Sequence, residues 1–345
     1  PPELRVPREF LHALDGRGGR TVAVGPHGST TPGAALRKLG VDLVVRGECE
    51  EVVAELARGT PPAEVRAVAW LEGDRVVSTG APATARFVDA PPLAWPAAWL
   101  ARHAHHHHRF DAAPDGPGAE VEASRGCPYR CSFCAKLDFR DGYRRRDVAL
   151  VMAEIDALVA QGVTYVYFVD EIFLPREELL VALRERPLRF GVQTRIDLWK
   201  PELLDLLGEA GCVSIEAGVE SLTVEGRAAL DKKCKLTTDE LAERLIRARR
   251  TVPFVQANLI EATDDAAVVA EWRDRLRAAG VWANDPVPLY PYPASPDYRK
   301  RWGEPDDLAW ERAHEDYLAR HARFSDIQDE RPLPLPELEG ACLLR

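Results

Sequence analysis

Between residues 119 and 289 the chain alternates short apolar runs with longer helical patterns, and this alternation limits its fold more than any other feature. Strands are expected near 119–123, 164–169, 188–193, 212–217, 253–259 and 281–289. Helices fall between them, the clearest at 147–161, 176–185, 201–209, 238–250 and 265–279. Strands that alternate with helices of this length imply parallel βαβ units. Six units are too few to close an eight-fold barrel. The fold class is therefore α/β, with an open, partial (β/α)6 barrel over residues 119–295 and no short-period repeat.

The preceding segment has its own rhythm. Thr21 to Val24 is a short strand that runs into Gly25-Pro26-His27-Gly28, read as a turn-rich loop. Thr31 and Pro32 look like the cap and first residue of a helix that ends near Leu39. Val41 to Val45 is a second strand, continuous in apolar residues as strands buried on both faces are. A helix follows from Glu50 to Ala57, then a hairpin formed by Val65–Leu71 and Arg75–Thr79. Residues 1–80 thus form a partial doubly wound, Rossmann-like unit. Residues 81–118 shift to Ala, Pro and His and read as a linker, and 296–345 as a helical extension and tail carrying Cys342. The linker holds His103 and His105–His108, open to three readings: a solvated tract, a metal-binding tract or a contact layer between domains.

Charge narrows the function. A net charge of −10 lacks the basic footprint of nucleic-acid or membrane-surface binders. No apolar run approaches a membrane span, and no secretory signal is visible. The chain opens on Pro1 rather than Met, so an N-terminus that is processed, trimmed or preceded by further residues is expected. Seven cysteines, three of them within eight positions, read as metal binding in a reducing compartment rather than as disulfides, with the cytoplasm as the expected location.

Those three are Cys127, Cys131 and Cys134, spaced CxxxCxxC directly after the first barrel strand. A cubane iron–sulfur cluster normally takes four thiolates, so three in one loop leave one iron free to bind a small molecule. An electron passed to a sulfonium held there breaks a C–S bond and releases a carbon radical. The loop also sits where α/β barrels place their chemistry, at the C-terminal ends of strands. A zinc site remains open as an alternative, with the histidine tract as a source of its fourth ligand.

The motif resembles that of the radical S-adenosylmethionine (SAM) superfamily, and the likeness covers about 119–295. It implies a [4Fe–4S] cluster on the three cysteines and SAM as cofactor, with Phe133 against the adenine. The second strand ends in Asp170 and Glu171, and paired carboxylates at a buried strand tip ask for a cation. By position they match the family's Gly-Gly-Glu motif, which binds the SAM ammonium, although Val169 and Asp170 replace its glycines. Arg195, at the tip of the third strand, suits the SAM carboxylate, or else pairs with Asp197 on the surface. On the fourth strand Glu216, Gly218, Glu220 and Ser221 resemble the segment that lies near the SAM ribose and methionine. The fifth strand departs from the family at Leu259–Asp265. The sixth keeps a Tyr-Pro ending at Tyr290–Pro293.

Residues 24–79 resemble the later half of a cobalamin (B12)-binding domain, which would set Gly25, His27 and Gly28 facing the nucleotide tail. The family's D-x-H-x-x-G motif is absent from the chain. The resemblance implies reductive SAM cleavage that starts radical chemistry on an unactivated carbon of a small-molecule or natural-product substrate, with methyl transfer through cobalamin. It further implies an external electron donor such as flavodoxin or ferredoxin. Two other readings stand beside it: a cobalamin-independent rearrangement, cyclisation or dehydrogenation, and a non-catalytic Fe–S or zinc protein.

Overall fold

Two sheets and a C-terminal pair of helices organise the computed structural model, which describes residues 11, 13–14, 18–102, 116–261, 263–320 and 334. The first sheet runs β1 (Val22–Ala23), β2 (Leu43–Val45), β3 (Val68–Glu72) and β4 (Arg75–Ser78), in that order. β1 and β2 are parallel, and β2, β3 and β4 are antiparallel. All of β2 is buried, which is why it reads as an unbroken apolar run. Between β1 and β2 lie two helices, α1 (Pro26–Thr30) and α2 (Pro32–Leu39), and α3 (Glu50–Ala57) follows β2.

α1 corrects the expected loop at 25–28. Pro26 supplies a fixed φ at the first helical position, and the Ser29 amide and hydroxyl both donate to the Gly25 carbonyl at 3.1 and 2.8 Å. Thr31 is likewise not a side-chain cap for α2, since its hydroxyl donates back to the His27 carbonyl at 3.1 Å. After β4 the described residues 81–102 are largely exposed but pinned to the protein at a few points. Ala83, Ala85, Phe87 and Leu100, the last residue of α4 (Ala97–Leu100), are buried. The histidine tract falls outside the described residues, as does Cys342.

The second sheet holds β5 (Gly118–Val121), β8 (Tyr165–Phe168), β9 (Arg189–Thr194), β10 (Cys212–Glu220), β11 (Phe254–Leu259) and β12 (Trp282–Ala283), all parallel and in sequence order. β5 and β12 are its two edges, so the sheet is open as the six-unit count requires. A two-rung antiparallel ladder, β6 (Ser124–Arg125) with β7 (Arg144–Arg145), closes the long loop after β5. The crossovers are α5 (Val148–Ala160), α6 (Glu177–Arg184), α7 (Pro201–Glu209), α8 (Val224–Ala229) with α9 (Thr238–Thr251), and α10 (Ala266–Ala278).

Local chemistry starts these helices where they are needed. Asp147 caps α5 through the Ala149 amide, and Thr237 with Glu240 forms a reciprocal capping box on α9. The helices bury Ile155, Leu179, Leu204 and Leu245 against the sheet. Trp199 anchors this core, stacked on Phe173 at 6.3 Å and donating its indole N–H to Thr194. The expected sixth strand shortens to Trp282–Ala283, with one further bridge between Ile260 and Val287.

α11 (Pro296–Trp302) and α12 (Ala309–Arg320) return across the molecule to the first sheet. There Lys38 donates to the Asp307 carbonyl at 2.6 Å, and the Trp310 indole donates to Thr31 at 2.9 Å. Arg37 pairs with Asp307 and Lys38 with Glu311. No helix among the described residues is long and apolar enough to cross a membrane.

Candidate active site

The cysteine loop leaves the sheet at the C-terminal end of β5 and turns at Gly126, whose φ is 72°. A Cβ there would stand 2.2 Å from the Gly142 carbonyl oxygen, so the close pass of the two chain segments admits only glycine. Glu171 accepts the Gly126 amide at 2.7 Å and a guanidinium N–H of Arg140 at 2.9 Å. Lys136, 8% exposed, folds back across the loop. Its ammonium donates to the Cys127 carbonyl at 2.6 Å and to the Asp141 carbonyl and carboxylate at 2.9 and 2.7 Å. The Cys134 amide donates to the Cys131 carbonyl at 3.2 Å.

Cys127, Cys131 and Cys134 are free, partly buried thiols. Burial pushes all three up from the ordinary thiol range, and at Cys134 the neighbouring Cys127 and Cys131 add to the rise. Lys232 and Arg195 act in the opposite sense on Cys131. The three thiols therefore lie close enough to act on one another electrostatically. Among the described residues no three Cys, His, Asp or Glu side chains close on a point as the ligands of one ion do. A cubane makes no such demand, because each thiolate takes a different iron. The donor set thus fits a cluster.

Around the loop the strand ends contribute unequally. Arg195, 6% exposed, holds Asp197 through two N–H groups at 3.2 and 2.8 Å and lies over the Tyr129 ring at 4.1 Å. The Arg195–Asp197 pair expected at the surface is thus buried. The second terminal nitrogen of Arg195, Nη1, has no hydrogen-bond partner among the described residues. A buried guanidinium with an unused donor beside the cysteines suits a carboxylate.

β10 runs three residues past its expected end, and its register with β11 shifts between Gly218 and Glu220. Glu220 takes φ 61°, and its carboxylate folds back over Gly218, 2.8 Å from where a Cβ would sit. It pairs with Lys232, itself only 3% exposed. Glu216 stands four residues earlier, opposite Gln193 and Gln256. Ser221 is turned away to Asp264, donating at 2.7 Å. Phe133 is partly buried within the loop itself.

Asp170 sits differently from its expected place on the rim. It is 3% exposed and accepts the Ala123 amide at 2.8 Å, with Ser124 on its other oxygen. Burial, opposed by these two bonds, raises its carboxyl to about 8. Gly25, His27 and Gly28 belong to the other sheet. Gly25 takes φ 103° at the end of β1, Gly28 packs α1 against Val44, and the His27 ring lies 5.0 Å from Trp310.

Four features escape the sequence pattern. Lys136 lies two residues beyond Cys134, and its pairing with Asp141 five residues later is the one local signal. Lys232 gives none, because its partner Glu220 lies across a helix. Glu48, 2% exposed, receives two N–H groups of Arg144 and ties the first sheet to the cysteine loop's return. Ser132 meets Asp297 across 165 residues, a separation no local pattern reveals.

The sequence of residues 121–261 matches the Radical SAM superfamily. These residues form a radical SAM domain. Such a domain works with a [4Fe–4S] cluster and SAM. Relatives include the anaerobic magnesium-protoporphyrin IX monomethyl ester cyclase of Cereibacter sphaeroides, 30% identical over 65% of this chain and 38% of its own length. The hopanoid C-3 methylase of Methylococcus capsulatus is 27% identical over 65% of this chain and 42% of its own. The chain thus spans less than half the length of these relatives.

Among solved structures, the radical SAM methyltransferase TsrM of Kitasatospora setae, with cobalamin and a [4Fe–4S] cluster bound, superposes at TM-score 0.64. It is 22% identical, over 84% of this chain and 59% of that one. The cobalamin-dependent SAM radical enzyme OxsB, with aqua-cobalamin and SAM bound, gives 0.62 at 15% identity, over 91% and 45%. At these identities the likeness is one of fold, and it extends over the first sheet as well as the radical SAM domain.

Proposed function

We propose that the chain is the catalytic portion of a radical SAM enzyme that methylates an unactivated carbon of a small molecule with the help of cobalamin. The observation that carries the reading is the loop of three free, partly buried thiols, Cys127, Cys131 and Cys134, with buried Arg195 lying over its Tyr129 and keeping a spare donor. When bound, a [4Fe–4S] cluster with one iron free of protein ligands supplies the electron that cleaves SAM, and a corrinoid supplies methyl transfer.

The chain's own residues do the holding. The three cysteines take the cluster, and Lys136 and Gly126 fix the loop that presents them. Arg195 receives the carboxylate of SAM. Glu171, just past β8, and Glu216, Gly218 and Glu220 on β10 serve the ammonium and ribose hydroxyls of SAM, which carboxylates suit. Phe133 serves the adenine. Asp170 acts beneath the rim by fixing Ala123 and Ser124 before the loop. Ser221 serves through Asp264 rather than by touching SAM.

Cobalamin is supported by the fold likeness to two cobalamin-containing structures. A cavity of about 330 Å³ also opens between the first sheet and α11, lined by Ser29, Thr30, Arg46, Ser78, Asp138 and Arg299. Its hydroxyls and Arg46 suit a polar tail rather than a whole corrin, while Arg299 is held by Asp138 and Glu304. His27 is packed on Trp310 and Gly28 on Val44, so Gly25 serves by backbone approach rather than the imidazole as a ligand. An external one-electron donor such as flavodoxin or ferredoxin, a natural-product substrate and a cytoplasmic setting complete the proposal. Cys127, Cys131 and Cys134 are free thiols, which suits a reducing compartment.

One relative is named a cyclase, and this favours a second reading in which radical chemistry proceeds without methyl transfer. Anaerobic reconstitution with iron and sulfide, reduction and incubation with SAM tests both. Formation of 5′-deoxyadenosine supports radical SAM chemistry. A bound corrinoid together with S-adenosylhomocysteine favours methyl transfer, and 5′-deoxyadenosine without either favours the cyclase-like reading. A reconstituted chain that yields neither nucleoside product with any substrate of these relatives would sink the proposal.

A further inference from the structure

The middle of the cysteine loop is held from far along the chain. Ser132, between Cys131 and Phe133, makes three bonds to two distant segments. Its amide donates to the Leu230 carbonyl at 3.0 Å, and its carbonyl accepts the Asp297 amide at 2.9 Å. Its hydroxyl donates to the Asp297 carboxylate, also at 2.9 Å. Asp297 lies in the first turn of α11, where amide groups have no partner within the helix and are free to reach outward. The same helix takes a second hold on the loop's exit. Arg299 donates to both oxygens of Asp138 at 2.9 Å, so contacts on α11 flank Cys134 on both sides.

These contacts are not what closes α11. Ser295 caps the helix through the Tyr298 amide, Pro296 occupies its first position, and Tyr298 is fully buried against Trp302. The carboxylate of Asp297 is therefore spent on the loop rather than on its own helix. A carboxylate that orients the residue beside two ligands stands to them as outer partners stand to the ligands of a metal site.

We propose that Asp297 is a positioning residue for the iron–sulfur cluster. By fixing the Ser132 peptide and hydroxyl, it holds Cys131 and Cys134 in the orientation that receives two irons of the cube. The proposal rests on the reading that the three cysteines hold a cluster.

The full chain and its Asp297→Ala, Asp297→Asn and Ser132→Ala variants are reconstituted anaerobically with iron and sulfide. Bound iron, visible absorbance, the electron paramagnetic resonance of the reduced cluster and the rate of iron loss to a chelator are then read. Circular dichroism checks that each variant folds. Asp297→Ala and Ser132→Ala are expected to lose iron about tenfold faster or more and to shift the resonance. Asp297→Asn keeps an oxygen that accepts the Ser132 hydroxyl and is expected to stay near wild type.

Wild-type iron retention and resonance in folded Asp297→Ala would overturn the proposal. So would equal losses in the Ala and Asn variants, since charge at the helix start, not the bond to Ser132, would then be the cause. A wild-type chain that takes up no cluster overturns the reading of the cysteines, and the proposal with it.

Discussion

Asp170 shows what a residue's identity conceals. As a carboxylate at the tip of a buried strand it looks like a partner for a cation, but its surroundings make it an acid. With its carboxyl raised to about 8, it is protonated at neutral pH. It accepts the Ala123 amide at 2.8 Å and the Ser124 hydroxyl, two bonds that oppose the rise without cancelling it. Folding therefore favours the protonated form over the ordinary carboxylate, whose reference value is 3.8. The folded chain binds this proton more tightly than the unfolded one, so stability falls as pH rises between the two values and levels off above them. Asp170→Asn keeps one acceptor and one donor without a charge. Its urea midpoint should match wild type near pH 3, below the unfolded value, and exceed it increasingly up to pH 9, and identical pH slopes would show that Asp170 is ionised in the fold. Arg195 was legible as a charge at a strand end, but its burial and spare nitrogen were not, since both depend on Tyr129 and Asp197 closing around it. Arg195→Gln should weaken SAM binding by about tenfold, the scale of one charge-assisted hydrogen bond, as measured by equilibrium dialysis on the reconstituted chain.

At the scale of elements, the long crossovers were legible because apolar spacing and caps agree. Thr237, Glu240 and the buried face of Leu241, Leu245 and Ala248 all point to one helix, observed at Thr238–Thr251. Short elements were not legible. α1 depends on Ser29 bonding to Gly25, and the β6–β7 ladder has two residues a side, too few for a period to show. The last turn of β10 was missed for another reason. Glu220 is held at φ 61° by Lys232, and no propensity favours that conformation in glutamate. Gly126 marks the element on which the site depends most. Gly126→Ala must place a Cβ against the Gly142 carbonyl at a positive φ, so the turn into Cys127 has to move. Iron uptake in anaerobic reconstitution should drop severely while helical circular dichroism persists. Normal uptake would mean that the loop relaxes freely around the cluster.

At the scale of the whole molecule, two kinds of charge contact join the first sheet to the rest, and they differ in burial. Arg37 and Asp307 are 40% and 42% exposed, so solvent screens their pair. Glu48 is almost wholly buried, and Arg144 and the Ala85 amide converge on it, with Arg125 and Arg140 each within 3.9 Å. Burial alone would raise its carboxyl, but Arg144, the Ala85 amide and Arg125 outweigh it and hold the group below the ordinary range. Glu48 thus contributes stability above pH 4.5, its unfolded reference, and loses it as pH falls through the depressed value. None of this was legible in the sequence, where Glu48 merely follows an apolar strand and Arg144 lies 96 residues away. Removing one member of a buried pair leaves the other charge unmatched, so Glu48→Ala should cost about 3–5 kcal/mol in urea unfolding at pH 7. Arg37→Ala should cost under about 1 kcal/mol. The Glu48 deficit should narrow toward pH 4, where the wild-type carboxylate also begins to lose its advantage. Equal costs for the two variants would mean that the first sheet is joined to the radical SAM domain by its apolar contacts alone, with Glu48 incidental to the join.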